Sequence, residues 1–201
     1  MVTHLPTAKP FLVAALVLAA GAGRRYGGGG KLLAPFGEGR LVDSAVRTAL
    51  AAPADEVVVV TGAQGGAVAA HVRTLDPDGR VRIVQADDWE DGLSASLKAG
   101  VAAVPQADAV IVLLGDMPRI PAGVLAPLVA AVRAGAPAAA PVFEGERGHP
   151  AVLGREVLDR VPGLAGDHGA GGLLKALGDR MARLPVADDG VLFDVDTPPP
   201  A

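Results

Sequence analysis

Hydrophobic and polar positions fall into alternating blocks along this chain, and the blocks predict its elements. Five apolar runs, rich in Val, Leu and Ala, predict buried strands at residues 13–18, 57–61, 81–85, 110–114 and 138–143. Between them, apolar residues at helical spacing predict helices at 41–50, 68–72, 93–101 and 124–132. Near-continuous apolar strands joined by helices indicate a mainly parallel sheet, so we predict an α/β domain with helices on both faces.

Composition bounds the function. The 201 residues fit one domain, which we place at 11–199 after an N-terminal extension at 1–10. The net charge of −4, without interleaved basic and aromatic residues, argues against nucleic acid as a partner. The chain has no cysteine, which excludes a thiolate nucleophile, and no apolar run of the roughly 20 residues that a membrane span needs. We therefore expect a cytoplasmic protein.

The first predicted strand runs into a glycine-rich loop with three cations, Arg24, Arg25 and Lys31. A P-loop would need Gly at position 25 and Ser or Thr at 32, and a dinucleotide fingerprint would need Gly at position 26, which is Tyr. The exit of a secretory signal peptide is a third interpretation, disfavoured because a single Lys precedes the apolar run. A solvated turn is the plain alternative. The glycine-rich loop follows a buried strand, and this position favours a loop that binds an anion.

Carboxylates suited to a metal ion stand at two distant places. Asp116 follows the fourth predicted strand, where it could equally be a turn or helix-capping residue. Asp194 and Asp196 alternate with Val195, so an extended segment would put both on one face. They could also belong to a solvated terminus, although Phe193 and Val195 give the segment something to bury. Since Mg²⁺ usually takes one or two carboxylates plus substrate phosphates, Mg²⁺ is the candidate cofactor.

Two further stretches carry polar groups at the ends of predicted elements. Ser94 and Ser96 follow Gly92 at the start of a helix, and we expect both hydroxyls to face the ligand crevice, although capping would explain one. Arg147 and His149 flank a glycine after the fifth strand, an arrangement that suits an anionic ligand. A structural role for this His is an equal alternative.

Taken in order, the chain contains LAAGAGRRYGGGGK, TG, GLSASLKAG, GDMP, RGHP and DVDTP. Over residues 13–199 this order and spacing resemble the MobA-like NTP transferases, and within them the molybdenum cofactor cytidylyltransferases. The resemblance implies a Rossmann-like nucleotidyltransferase fold and transfer of CMP from CTP to molybdopterin cofactor, with Mg²⁺ and release of pyrophosphate. It also implies CTP or another NTP, molybdopterin or another small phosphorylated acceptor, and a molybdoenzyme as partners. Residues 19–21 read Ala-Ala-Gly, whereas relatives that transfer a guanylyl group tend to carry Gly at the second of these positions. The resemblance therefore favours cytosine over guanine as the base.

The resemblance further assigns roles to residues. It makes Arg25, Lys31 and Asp116 catalytic, and Asp116 with Asp194 or Asp196 the metal ligands. Arg147, Gly148 and His149 face the acceptor. The nucleotide-binding residues are Ala19, Ala20, Gly21, Ala22, Gly23, Arg25, Lys31, Thr61, Gly62, Gly92, Ser94 and Ser96.

The chain departs from the family pattern at Gly171, where relatives often carry Arg, and at Tyr26, where Met is usual. A different activity also remains open, because some proteins with this domain are described as NADPH-dependent reductases of a quinoid compound, nicotine blue. Fold does not separate the two. A reductase, however, has no use for a carboxylate pair at a metal site, and this favours transfer.

Overall fold

The computed structural model describes residues 9–23, 26 and 30–197. Its strands are β1 (Val13–Ala19), β2 (Pro35–Phe36), β3 (Gly39–Arg40), β4 (Glu56–Thr61), β5 (Val81–Gln85), β6 (Ala109–Leu114), β7 (Ala138–Phe143), β8 (Glu146–Arg147), β9 (Ala151–Gly154) and β10 (Ala182–Pro185). Its α-helices are α1 (Leu41–Leu50), α2 (Gly65–Leu75), α3 (Leu93–Ala103), α4 (Leu125–Arg133), α5 (Arg155–Leu158) and α6 (Gly171–Leu177). All five predicted strands and all four predicted helices are present, with ends shifted by a few residues.

One eight-stranded sheet organises the chain, in the order β10-β7-β9-β6-β1-β4-β5, with β8 paired to β7. β1 lies between β4 and β6 and is parallel to both, so that Val17 faces Val59 on one side and Leu113 on the other. β9 runs antiparallel to both of its neighbours, β6 and β7. The predicted mainly parallel sheet is therefore confirmed, with one reversed strand between its two parallel parts.

Helices cover both faces of the sheet, as predicted, because β1 is apolar at every position. Its odd-numbered residues, such as Val17, pack in a core that includes residues of α1, α2 and α4. Its even-numbered residues, such as Leu16, pack in a second core with residues of α3, α5 and α6. Burial on both faces removes apolar surface from water and makes β1 the centre of the domain.

The parallel strands β1, β4, β5 and β6 end at one edge of the sheet, where α/β proteins place their ligands. Among the described residues, no helix is both long and apolar enough to cross a membrane.

Candidate functional site

Two glycines shape the loop after β1 and place Lys31. Gly23 has a φ of +59°, and a Cβ there would lie 2.7 Å from the Cβ of Lys31, so the loop and this side chain are in close contact. Gly30, with a φ of +87°, directly precedes the 3₁₀ turn that begins at Lys31. Both conformations favour glycine. As a result Lys31 is only 8% exposed, with its ammonium directed at the end of β6.

The ammonium of Lys31 contacts two carboxylates. Its Nζ donates a hydrogen bond to Oδ2 of Asp116 at 2.7 Å and lies 3.5 Å from Oδ1 of Asp196. Asp116 comes just after β6, whereas Asp196 comes from the C-terminal segment. At this edge of the sheet, the Lys31 ammonium therefore lies between two carboxylates that come from distant parts of the chain.

The C-terminal segment is docked at the end of β6. The amide of Val195 donates a hydrogen bond to the carbonyl of Asp116 at 3.1 Å. The guanidinium of Arg119 stacks over the ring of Phe193 at 3.8 Å from its centroid, a cation–π contact. Together these contacts fix Asp196 beside Lys31.

The two terminal aspartates have different environments. Asp196 lines the cavity described below, while Asp194 is exposed and does not line it. The segment 193–196 is not a strand, so the strict alternation expected from its sequence does not apply. The placement corrects the expectation that both side chains share one face.

A cavity of about 480 Å³ opens at this edge of the sheet. It brings together nine residues that the sequence singled out: Ala20, Gly21, Ala22, Gly23, Lys31, Gly92, Ser96, Asp116 and Asp196. Such a volume is in the range of small-molecule sites. The predicted Arg25 lies outside the described residues, as does Arg24.

The cavity is not lined by three of the residues predicted to bind nucleotide, Ala19, Thr61 and Gly62. Thr61 and Gly62 instead support the residues around it. The hydroxyl of Thr61 donates to Oε1 of Gln85 at 2.9 Å, and the residue is 1% exposed. A Cβ on Gly62 would lie 2.5 Å from the carbonyl oxygen of Ala20, so this glycine lets the loop after β4 pack against the loop after β1.

The helix start behaves differently from the expectation for its two serines. Ser96 lines the cavity, but Ser94 does not, because residues two apart on a helix point about 200° apart. Ser94 lines a separate cavity with Asp91 and Lys98, and its buried hydroxyl has no partner among the described residues.

Five cavity residues were not assigned to the site by sequence reasoning: Leu18, Trp89, Glu90, Leu93 and Asp167. Trp89 and Glu90 lie in a 3₁₀ turn before Gly92, and no periodic pattern marks them. Asp167 lies so close to Gly92 that a Cβ on Gly92 would collide with the carboxylate of Asp167. The only available signal was that Trp89 is the single tryptophan of the chain.

Arg147, Gly148 and His149 lie beside this cavity rather than in it. Gly148 is packed against Val191, and the amide of His149 donates to the carbonyl of Val191 at 2.8 Å. Arg147 and His149 line a second cavity of about 70 Å³ with mainly apolar walls. That cavity shares Leu18 and Leu93 with the first, so the two are neighbours.

His149 is neutral near pH 7. Burial, and to a smaller extent the positive charge of Arg147, lower the pKa of its imidazole to about 4, although Asp116 and the backbone of Val112 oppose the change. Its Nδ1 is buried without a hydrogen-bond partner among the described residues. The side chain therefore offers an uncharged polar group to the second cavity.

The residues present fit one divalent metal ion bound jointly with substrate. No group of three or more His, Cys, Asp or Glu residues capable of holding a metal occurs in the described part of the chain. The pair Asp116 and Asp196 nevertheless holds one cationic group, the Lys31 ammonium, between its oxygens. Two carboxylates are what Mg²⁺ takes from a protein when phosphates supply the other ligands.

Comparisons with known proteins agree with this architecture. The model of the MobA-like NTP transferase domain matches residues 15–181. Nicotine blue oxidoreductase of Paenarthrobacter nicotinovorans is 33% identical, with 92% of each chain covered, and the purine catabolism protein PucB of Bacillus subtilis is 32% identical, with 94% covered. Rv0371c of Mycobacterium tuberculosis H37Rv superposes with a TM-score of 0.77 at 28% identity and 94% coverage of each chain. Its complex with manganese superposes at 0.70, with 25% identity and 89% coverage.

Proposed function

This chain belongs to the MobA-like NTP transferase family, and from that premise we propose that it transfers CMP from CTP to a phosphate of a small acceptor, the molybdopterin form of the molybdenum cofactor. Family membership supports nucleotidyl transfer in general. The observation that carries the proposal is the Lys31 ammonium held between Asp116 and Asp196 in a cavity at the ends of parallel strands.

The reaction needs no protein nucleophile. A phosphate oxygen of the acceptor attacks the α-phosphorus of the NTP, the new P–O bond forms, the bond to the β-phosphate oxygen breaks, and pyrophosphate leaves. Catalysis then consists of positioning and of stabilising the charge that develops on the leaving group. Lys31 supplies a fixed positive charge for that purpose, and we assign Arg25 the same role.

Asp116 and Asp196 would hold the divalent metal, Mg²⁺ or Mn²⁺. When bound, such an ion neutralises phosphate charge during the transfer. The manganese complex of Rv0371c supports a divalent metal in a relative of this chain. Val195 and Phe193 contribute by keeping Asp196 in reach through the contacts with Asp116 and Arg119.

The preference for CTP is proposed from the loop after β1. Ala20 is 2% exposed and lines the cavity, where some relatives that transfer GMP carry glycine. Its methyl group packs against Gly62 behind the loop, so that it sets the position of the loop and with it the width left for a base, of which a purine needs more than a pyrimidine. Trp89 and Leu93 supply apolar surface on the same cavity.

A second candidate is an NADPH-dependent reductase of a quinoid compound, which the relative named nicotine blue oxidoreductase favours. A nicotinamide dinucleotide also carries a pyrophosphate that the glycine loop could bind. Hydride transfer, however, gives no role to a carboxylate pair around a cation, so the contacts of Lys31 favour transfer.

The test combines both activities in one preparation. The purified protein is incubated with each NTP, Mg²⁺ or Mn²⁺ and molybdopterin cofactor, and pyrophosphate release is measured. NADPH oxidation with a quinoid substrate is followed in parallel. Metal-dependent pyrophosphate release that is fastest with CTP supports the proposal. NADPH oxidation without any pyrophosphate release overturns it in favour of the reductase.

A further inference from the structure

A wide groove with cationic walls lies next to the second cavity. It has a volume of about 670 Å³, and Arg147, Lys175 and Arg183 contribute the charged side chains. No carboxylate is among the described residues that line it. Three cations around one groove repel one another in the absence of a counter-charge.

The register of the sheet explains why these cations meet. Arg147 of β8 lies opposite Val142 of β7, and Arg183 of β10 lies beside Ala140 of the same strand. Cross-strand partners share a face, and residues two apart on a strand do so as well. Arg147 and Arg183 therefore flank β7 on one face of the sheet, with Val142 between them.

Helix α6 forms another wall of the groove. Gly171 and Lys175 are four residues apart on this helix, on its same side, and both line the groove. A Cβ at Gly171 would lie 4.0 Å from Nη2 of Arg147, so the guanidinium sits over the position that carries Arg in many relatives. Val142, Leu174 and Met181 provide apolar surface beside the three cations.

The groove adjoins the cavities of the proposed transfer site. It shares Arg147, His168, Gly171 and Leu174 with the second cavity. That cavity in turn shares Leu18 and Leu93 with the nucleotide cavity. This chain of neighbouring cavities favours an extended small substrate over a separate protein partner as the occupant of the groove.

The nearby acidic groups do not neutralise the groove. Asp179 lies 3.9 Å from Nη1 of Arg183, but its side chain is fully exposed, where an ion pair is weak. Glu146 precedes Arg147 on β8, and adjacent residues of a strand point to opposite faces.

We propose, as an extension of the proposed function, that this groove binds a second anionic group of the acceptor, remote from the phosphate that reacts. Arg147, Lys175 and Arg183 hold that group, and the ring or chain beside it lies against the half-buried Val142. The acceptor is thus a small molecule with two anionic groups separated by an apolar body. Lys175 and Arg183 become specificity residues that the sequence did not indicate.

Two simple probes test the groove without an identified acceptor. Inorganic phosphate and phenyl phosphate are titrated separately into ¹⁵N-labelled protein, and the amide signals of Gly171 and Gly172 are followed. Both probes should give saturable shifts, and phenyl phosphate should bind more tightly because its ring covers the apolar surface. The double variant Lys175→Gln/Arg183→Gln should weaken both by about tenfold, since each lost contact to an anion is worth a few-fold at an exposed site. Arg73→Gln, an exposed cation on α2, is the matched control and should change nothing.

The outcomes separate the groove from the proposed function. CTP with Mg²⁺ is titrated in the same samples, and the amides of Gly21 and Ala22 and the fluorescence of Trp89 report on the nucleotide cavity. Absence of saturable shifts at Gly171 and Gly172, or equal weakening by Arg73→Gln, overturns the groove even where CTP binds. Absence of any CTP response in a protein whose groove still binds phosphate overturns the transferase instead.

Discussion

The two halves of the sheet are built differently. The half around β1, β4, β5 and β6 is parallel, its strands have five to seven residues, and it carries Lys31 and Asp116. In the half around β7 to β10 only β7 is long, with six residues, whereas β8, the reversed β9 and β10 have two to four, and this half carries Arg147 and His149. The groups that we propose for transfer therefore lie at the ends of long parallel strands, whereas those that we propose for the acceptor lie on short strands and loops.

The largest effect is expected for the carboxylates that close the nucleotide half. Asp116→Asn keeps the shape but removes the charge, so kcat should fall at least about a hundredfold with little change in KM, as for other preorganised electrostatic groups. Asp196→Asn should behave alike. The assay is pyrophosphate release with CTP and Mg²⁺.

Asp194→Asn is the matched control for that experiment, because Asp194 belongs to the same segment but is exposed outside the cavity. It should leave kcat nearly unchanged. Equal losses for Asp194→Asn and Asp196→Asn, or full activity in excess chelator, would remove the metal from the site.

The next effect concerns binding of the triphosphate. Lys31→Ala should weaken the binding of CTP by about 1.5 to 3 kcal/mol, which is the contribution of a charge-assisted hydrogen bond to phosphate. Calorimetry measures it directly. Lys175→Ala removes the same charge from the acceptor half and should leave CTP affinity unchanged, so a similar loss in both variants would contradict the division into halves.

The acceptor half should respond to pH through His149. Its pKa is about 4 in the folded protein and 6.5 in the unfolded chain, so between these values the unfolded chain binds a proton that the folded one excludes. Stability is therefore complete above pH 6.5 and is lost as the pH falls toward 4. When the pH falls from about 7.5 to 4.5, the free energy of unfolding of the wild type should decrease by about 2 to 3 kcal/mol more than that of His149→Asn.

Urea unfolding at both pH values, with a chelator present, gives this difference. A wild type and a His149→Asn variant with parallel pH dependence would show that the imidazole is charged or solvated in the folded state.

The smallest effect is expected for the base. Ala20→Gly should shift the preference for CTP over GTP by roughly threefold toward GTP, because loss of the methyl group that packs against Gly62 lets the loop after β1 draw back and widens the cavity. Competition between the two nucleotides measures the ratio. Ala19→Gly is the control, since Ala19 does not line the cavity, and an equal shift in both variants would mean that the effect comes from the loop as a whole.

The same difference between the halves explains what the sequence could predict. The long apolar strands of the parallel half are unmistakable, and a ligand edge follows from parallel pairing alone, which brings Lys31 and Asp116 into proximity. β9 and β10 have four residues each, too few for periodicity to distinguish a strand from a loop. They were not predicted, and neither was the reversal of β9.

Side-chain direction limited the prediction of the site in a similar way. Ser94 and Ser96 were grouped by proximity in sequence, although helical geometry separates them. Asp194 and Asp196 could not be distinguished, since an irregular segment has no periodicity, and the contacts of Val195 and Phe193 in the folded chain decide which one faces Lys31. Trp89 comes from a 3₁₀ turn with no pattern.

The reversed strand β9 also makes the protein divisible for engineering. Its ladder with β6, from Ala109 opposite Gly154 to Val112 opposite Ala151, is the border between the two halves. Residues 134–185 contain β7 to β10 and α6, yet neither Lys31, Asp116 nor Asp196 falls within them. A chimera that takes this stretch from a relative such as PucB keeps Lys31, Asp116 and Asp196 and exchanges the proposed acceptor surface, provided that Asp167, which lines the nucleotide cavity, is retained.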